Sequence, residues 1–144
     1  MRTITRTPFS KENEMNTFQI LAAPVGRILI SLIFISAGIG KITGYAGTQA
    51  YMESVGVPGM LLPFVIAVEL LGGLAITLGW HTRLAAFLLA GFCLVSGLIF
   101  HSNFADHSQY IQFMKNLALT GAFLMIVSHG AGPWSVDNRA RSGS

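Results

Sequence analysis

The stretch LLPFVIAVELLGGLAITLGW, residues 61–80, holds a single charge, Glu69. As a helix rising about 1.5 Å per residue it covers roughly 30 Å, the thickness of a bilayer's hydrocarbon core, so it predicts a membrane-spanning helix. A carboxylate at mid-depth costs roughly 2.5 to 3.5 kcal/mol on insertion scales, so it turns toward the interior of a bundle and takes a partner there. Two readings stand side by side. Glu69 is a group of a functional site, or it is a protonated or ion-paired lock between two helices.

The rest of the chain repeats this pattern. Hydrophobic residues make up 52% of the 144 positions and charged ones only 10%, with a mean hydropathy of +0.60. A soluble domain carries about a quarter charged residues, so the composition is that of an integral membrane protein. Four apolar segments predict spans at Ile20–Ile39, Met60–Trp80, Leu84–Phe100 and Ile111–Ser128. Their lengths exceed those of buried strands, and the fold class is therefore all-α, a membrane-embedded four-transmembrane-helix bundle. The brief connection His81-Thr82-Arg83 makes the second and third spans antiparallel neighbours. The domain plan is a flexible N-terminal segment at 1–17, the four-helix domain at 18–130 and a flexible tail at 131–144.

Lys and Arg set the expected orientation. With the N-terminus in the cytoplasm, Arg2, Arg6, Lys11, Arg83, Arg139 and Arg141 fall inside, and Lys41 and Lys115 fall outside. This is the positive-inside arrangement, with both termini cytoplasmic. The polar start lacks the apolar core of a signal peptide, so the first span is expected to stay as an anchor. The basic residues are scattered over termini and a turn, which gives no nucleic-acid surface. Cys93 is the single thiol, so the chain lacks the pair that disulfide exchange needs. No phosphate loop or metal-ligand spacing occurs, and His101, Asp106 and His107 read as a polar loop before they read as a cation site.

Counting residues along each span places the polar groups by depth. Arg27 lies about 10 Å and Glu69 about 15 Å from the cytoplasmic side, close enough for a long Arg side chain to pair with the carboxylate. Snorkelling of Arg27 to the headgroups is the other reading. At the opposite rim, Lys41, His101, Lys115 and Asn116 come to one level. They form either a positive pocket mouth over Glu69 or separate lipid anchors, with the Asn116 amide favouring a shared pocket. Small residues four apart, Ser36 and Gly40, Ala75 and Gly79, Ala86 and Ala90, Ala118 and Ala122, predict close helix approach.

The strings GRILISLIFISAGIGKITGYAGTQAYMESVGVP, VELLGGLAITLGWHTRLAA, FHSNF and FMKNLALTGAFL together resemble the DoxX family of small bacterial inner-membrane proteins, in its YqjF-like branch. The resemblance runs over residues 16–136. It implies four transmembrane helices in the bacterial inner (plasma) membrane. On the matching positions it points to Arg27, Gly38, Lys41, Glu69, Gly72, Gly73, Gly79, Arg83, His101, Lys115 and Asn116. Some members of the family belong to quinone-linked or stress-related membrane oxidoreductase complexes. The functional classes are thus a redox-linked subunit binding a quinone or similar lipophilic molecule with a membrane or periplasmic redox partner, a small-molecule carrier, and a non-catalytic scaffold subunit. The candidate ligand-binding residues are Arg27, Lys41, Glu69, His101, Lys115 and Asn116. No catalytic residue or metal ligand is assigned.

Overall fold

The computed structural model describes residues 17–143. Six α-helices follow one another: α1 Thr17–Thr43, α2 Tyr45–Ser54, α3 Leu62–Leu78, α4 Thr82–Phe100, α5 His107–His129 and α6 Val136–Ser142, with a short 3-10 turn at Gly59–Leu61 before α3. Four helical stretches are long and apolar enough to cross a membrane: Thr17–Thr43, Gly59–Leu78, Thr82–Phe100 and His107–His129. The expected all-α, four-span architecture is the observed one. The N-terminal segment expected at 1–17 lies outside the described residues, apart from Thr17, which opens α1.

The bundle is built as two close pairs, α1 with α3 and α4 with α5, joined through α3 against α4. The side chains at the centre are Phe34, Ile76, Ala85, Ala86, Leu89, Ala90, Cys93 and Phe123. Large apolar residues such as Leu29, Phe64, Leu71, Phe87 and Met125 point outward, as they must where lipid replaces water. Burying apolar surface gives no net drive between helices in such a solvent, so close backbone approach and dispersion contacts hold the bundle. Glycine supplies that approach. A methyl group on Gly38 would lie 2.7 Å from Leu70, one on Gly72 2.9 Å from Leu89, one on Gly73 2.9 Å from Ile35, and one on Gly97 3.1 Å from Asn116. Of the small-residue pairs expected to do this, Ala86 and Ala90 are in the core, whereas Ser36, Gly40 and Ala118 are exposed and a methyl on Gly40 would touch nothing within 4 Å. Spacing alone marks a helix face, and which face meets a neighbour depends on the bundle.

Two elements depart from the expected plan. The connection at 40–59 contains α2, a ten-residue helix, while α1 itself runs on to Thr43. The segment expected as a flexible tail folds back on the bundle. Asp137 accepts hydrogen bonds from the backbone N–H of His81 and Thr82, each 2.8 Å, and from the Thr82 hydroxyl at 2.7 Å. Its own N–H donates to the Gly79 carbonyl at 2.9 Å. The start of α4 has no cap from its own residues, since His81 there has φ 43° and makes no side-chain cap. Asp137 therefore satisfies, from the far end of the sequence, the orphan N–H groups that every helix start exposes.

Gly79 is the pivot of this corner. It closes α3 at φ 69° and ψ 42°, with its N–H on Ile76 O and that of Trp80 on Ala75 O, the two bonds of a Schellman closure. A side chain there would also collide with the Arg27 guanidinium and with Ser135.

Candidate functional site

Glu69 is 4% exposed, in the first half of α3, and its partner is Lys41 near the end of α1. Lys41 Nζ donates to Glu69 Oε1 at 2.8 Å. The second carboxylate oxygen, Oε2, is buried without a hydrogen-bond partner among the described residues. The Glu69 carboxylate is buried while Lys41 is a quarter exposed, and a buried carboxylate with one oxygen left unpaired is a poor lock.

The expected pairing of Arg27 with Glu69 is not what forms. Arg27 is 3% exposed and donates from Nη2 to the Trp134 carbonyl at 2.8 Å, with Nε and Nη1 without partners among the described residues. The register of the antiparallel α1 and α3 explains the difference. Gly38 faces Glu69 and Leu70, Gly73 faces Phe34 and Ile35, and Gly79 faces Arg27. Arg27 is thus level with the end of α3, about ten residues or 15 Å from Glu69 along the axis. Depth counting erred because α1 begins at Thr17 and overshoots α3, so the edges of the two apolar segments do not lie at one level.

The Lys41–Glu69 pair stands between two cavities. One, of about 360 Å³, is mainly apolar and is lined by α2, α3 and α4 residues including Tyr51, Met52, Phe64, Val65, Val95 and Phe100. The other, of about 330 Å³, lies toward α5 and is lined by Gln112, Lys115, Asn116 and Leu119 together with Phe34 and Ala37. Lys41, Glu69, Phe92, Ser96 and His101 belong to both walls. Five of the six candidate residues, Lys41, Glu69, His101, Lys115 and Asn116, therefore face the second cavity, and Arg27 does not.

Each member of this set is positioned locally. His101 closes α4 and its Nδ1 lies 2.7 Å from Gln109 Oε1, so Nδ1 carries the proton and a neutral ring offers Nε2 as an acceptor. Lys115 Nζ donates to Gln112 Oε1 at 2.9 Å, and Asn116 Nδ2 to the Gln112 carbonyl at 3.0 Å. Asp106, instead of joining His101 and His107 around a cation, caps α5 by accepting from the Ser108 N–H at 2.8 Å. Backbone and side-chain bonds from Ser108 hold its carboxyl below the usual range. Among the described residues no three His, Cys, Asp or Glu groups gather to hold a metal ion. Cys93 is 1% exposed in the core.

Tyr51 and Ser96 were not foreseen. Tyr51 comes from α2, stacks on Phe100 with centroids 5.8 Å apart and reaches the Phe100 carbonyl at 3.5 Å. The signal for Tyr51 is an aromatic in the connection between the first two spans, which α2 carries to the cavity wall. Ser96 sits in an apolar span as one small polar residue, three positions after Cys93.

Comparison with known proteins agrees with this architecture. The chain is 50% identical over 123 residues to the Escherichia coli inner membrane protein YqjF, covering 85% of this chain and 95% of that one. It is 37% identical over 122 residues to the E. coli inner membrane protein YphA, covering 80% and 87%. A 64-residue match at 33% identity, 44% of this chain and 48% of the other, links it to a Bacillus subtilis protein named "Putative oxidoreductase CatD". No solved structure matches. The DoxX family model matches residues 22–102, the stretch that holds Arg27, Lys41, Glu69 and His101, and the chain belongs to the DoxX family.

Proposed function

We propose that this multi-pass inner-membrane protein binds a quinone-like molecule, lipophilic with an oxygen-bearing ring, against the Lys41–Glu69 pair, as a redox-linked subunit. The observation that carries this reading is the half-used ion pair at the shared wall of the two cavities. Lys41 spends one of its three N–H donors on Glu69 Oε1, and Glu69 Oε2 is an unspent acceptor beside it. A neighbouring donor and acceptor in an apolar site suit a ligand whose oxygens alternate between carbonyl and hydroxyl. The carbonyl accepts a hydrogen bond from Lys41 Nζ, and the hydroxyl donates one to Oε2. The apolar cavity with Tyr51, Phe64 and Phe100 accommodates ring and tail, and the Gln112, Lys115 and Asn116 side accommodates the polar edge. Electrons come from a membrane or periplasmic partner, because one buried thiol gives this chain no redox couple of its own.

The test is thermal melting of detergent-purified protein with a short-tailed benzoquinone. Ligand at 100 times its Kd adds about 2.7 kcal/mol to the native state. The wild type should melt higher with the quinone, and the double variant Lys41→Met with Glu69→Gln should melt cooperatively without responding. No shift in the wild type overturns the reading in favour of a scaffold. A shift with an organic anion such as benzoate, and none with the quinone, turns it toward a carrier.

Both termini are assigned to the cytoplasm within the same reading. Arg83, Arg139 and Arg141 share the end of the bundle where α1 begins and α5 ends, while Lys41 at the opposite end is spent on Glu69. A reporter active only in the periplasm, fused after Ser144, should stay silent, and a strongly active fusion reverses the orientation.

A further inference from the structure

The cavity walled by α5 carries an unbalanced charge. Its ionisable side chains among the described residues are Lys41, Glu69, His101 and Lys115. Lys41 and Glu69 compensate each other through their 2.8 Å ion pair. His101, protonated or not, adds no negative charge, and no second carboxylate joins the wall. Lys115 is therefore a cation without a counter-ion there. Its one hydrogen bond among the described residues, 2.9 Å to Gln112 Oε1, goes to a neutral amide, and an ammonium has two further N–H groups to donate. Asp106 does not supply the missing charge. It stands at the start of α5, about nine residues or 13 Å along the helix axis, and its carboxylate caps that start through Ser108.

Depth makes this cation informative. Lys115 lies about eight residues, or 12 Å, into α5, beyond the rim where a lysine simply meets headgroups. Its neighbour Asn116 packs on Gly97, where a methyl would be 3.1 Å away, and the His101 N–H closes on the Gly97 carbonyl one turn further along α4. The Lys115–Asn116 pair thus sits a turn below His101. An ionised group inside a span calls for a partner of opposite charge, and here the protein provides none among the described residues.

The other polar demand of the same wall comes from Glu69. That side chain is 6% exposed, and its Oε2 has no donor among the described residues. One ligand meets both demands if it brings a hydrogen-bond donor to Oε2 and a negative group to Lys115. Charge also fixes which way round it lies, because an anion beside Oε2 would be repelled and one toward α5 attracted. The mainly apolar cavity toward α2 takes the part without charge.

Resting on the quinone reading above, we propose that the ligand is an acidic quinone: a ring whose oxygen meets Lys41 and Glu69, carrying one anionic substituent, such as a carboxylate, held by Lys115. The amides of Gln112 and Asn116 line the wall beside that substituent.

The probes are a trimethylbenzoquinone with a short carboxylate arm and the methyl ester of the same molecule, titrated against the full chain in uncharged detergent with melting as the readout. Their rings are fully substituted, which blocks addition of thiols and amines. The acid should bind roughly tenfold more tightly than the ester, the scale of one charge-assisted hydrogen bond. Lys115→Gln should abolish the preference, and Lys115→Arg, which keeps the cation, should retain it. Equal binding of acid and ester by the wild type, or a preference that survives in Lys115→Gln, overturns the proposal and leaves the quinone reading standing. Binding of neither overturns both. Lys115 is exposed, so cooperative melting of its variants separates a lost site from a lost fold.

Discussion

The two ends of this bundle hold their carboxylates in opposite ways. At one end Asp137 spends both oxygens on three donors of the α3–α4 corner. At the other, Glu69 meets Lys41 with one oxygen, and the second has no donor among the described residues, in a wall shared by two cavities. A carboxylate that closes a fold is saturated, as Asp137 is. One kept for a ligand is held by a single strong bond and left incomplete, because each further internal partner would have to be broken for the ligand to bind. The contrast supports reading Glu69 as a site group and Asp137 as a structural one.

The largest expected effect breaks that contrast at Glu69. Lys41→Met leaves a buried carboxylate without its counter-ion and should destabilise by about 3 to 5 kcal/mol, whereas adding Glu69→Gln removes the charge and should restore much of the loss. Arg27→Met with Glu69→Gln should show no such recovery, since Arg27 is bound to the Trp134 carbonyl. Detergent melting of these single and double variants checks it. A recovery with Arg27 and none with Lys41 would mean that Glu69 takes its partner from the other end of the bundle.

Much of this was legible in the sequence. Span number and helical class follow from apolar runs of the right length, because a bilayer leaves backbone groups few other ways to be satisfied. The grouping of Lys41, His101, Lys115 and Asn116 over Glu69 follows from counting residues between span ends, since each lies at or near the same end of its helix. Partner choice was not legible. Whether Glu69 takes Lys41 or Arg27 depends on the register of α1 against α3, which Gly38, Gly73 and Gly79 set through contacts with specific side chains. The folding-back of the C-terminal segment was equally hidden. VDNRARS is polar and short, and what orders it is a long-range bond from Asp137 to an α4 start whose own residue, His81, cannot cap it. Composition reports local preference, and this helix rests on a contact 55 residues away.

A smaller effect sharpens the comparison from the Asp137 side. Burial raises the pKa of its carboxyl, but the bonds from the Thr82 hydroxyl, the Thr82 N–H and the His81 N–H outweigh that, and the group titrates below the usual carboxylate value. A depressed folded-state pKa stabilises the native state at every pH above the unfolded value of about 3.9, and that contribution fades as pH falls through the lower folded value. Asp137→Asn replaces one accepting oxygen with an NH₂ group, which meets other donors, and should cost about 0.5 to 2 kcal/mol, the range for a lost helix cap. The gap in melting temperature between wild type and variant should stay constant from pH 7 to about pH 4 and narrow below it, as the wild-type carboxyl gains its proton. His81 and Arg27 act on the Asp137 carboxylate through charge, and the variant loses that attraction together with the cap, so the gap reports the carboxylate as a whole. A gap that persists unchanged well below pH 4 would show that the carboxylate charge contributes nothing to this corner. The saturated carboxylate at one end would then no longer differ in kind from the half-satisfied one at the other.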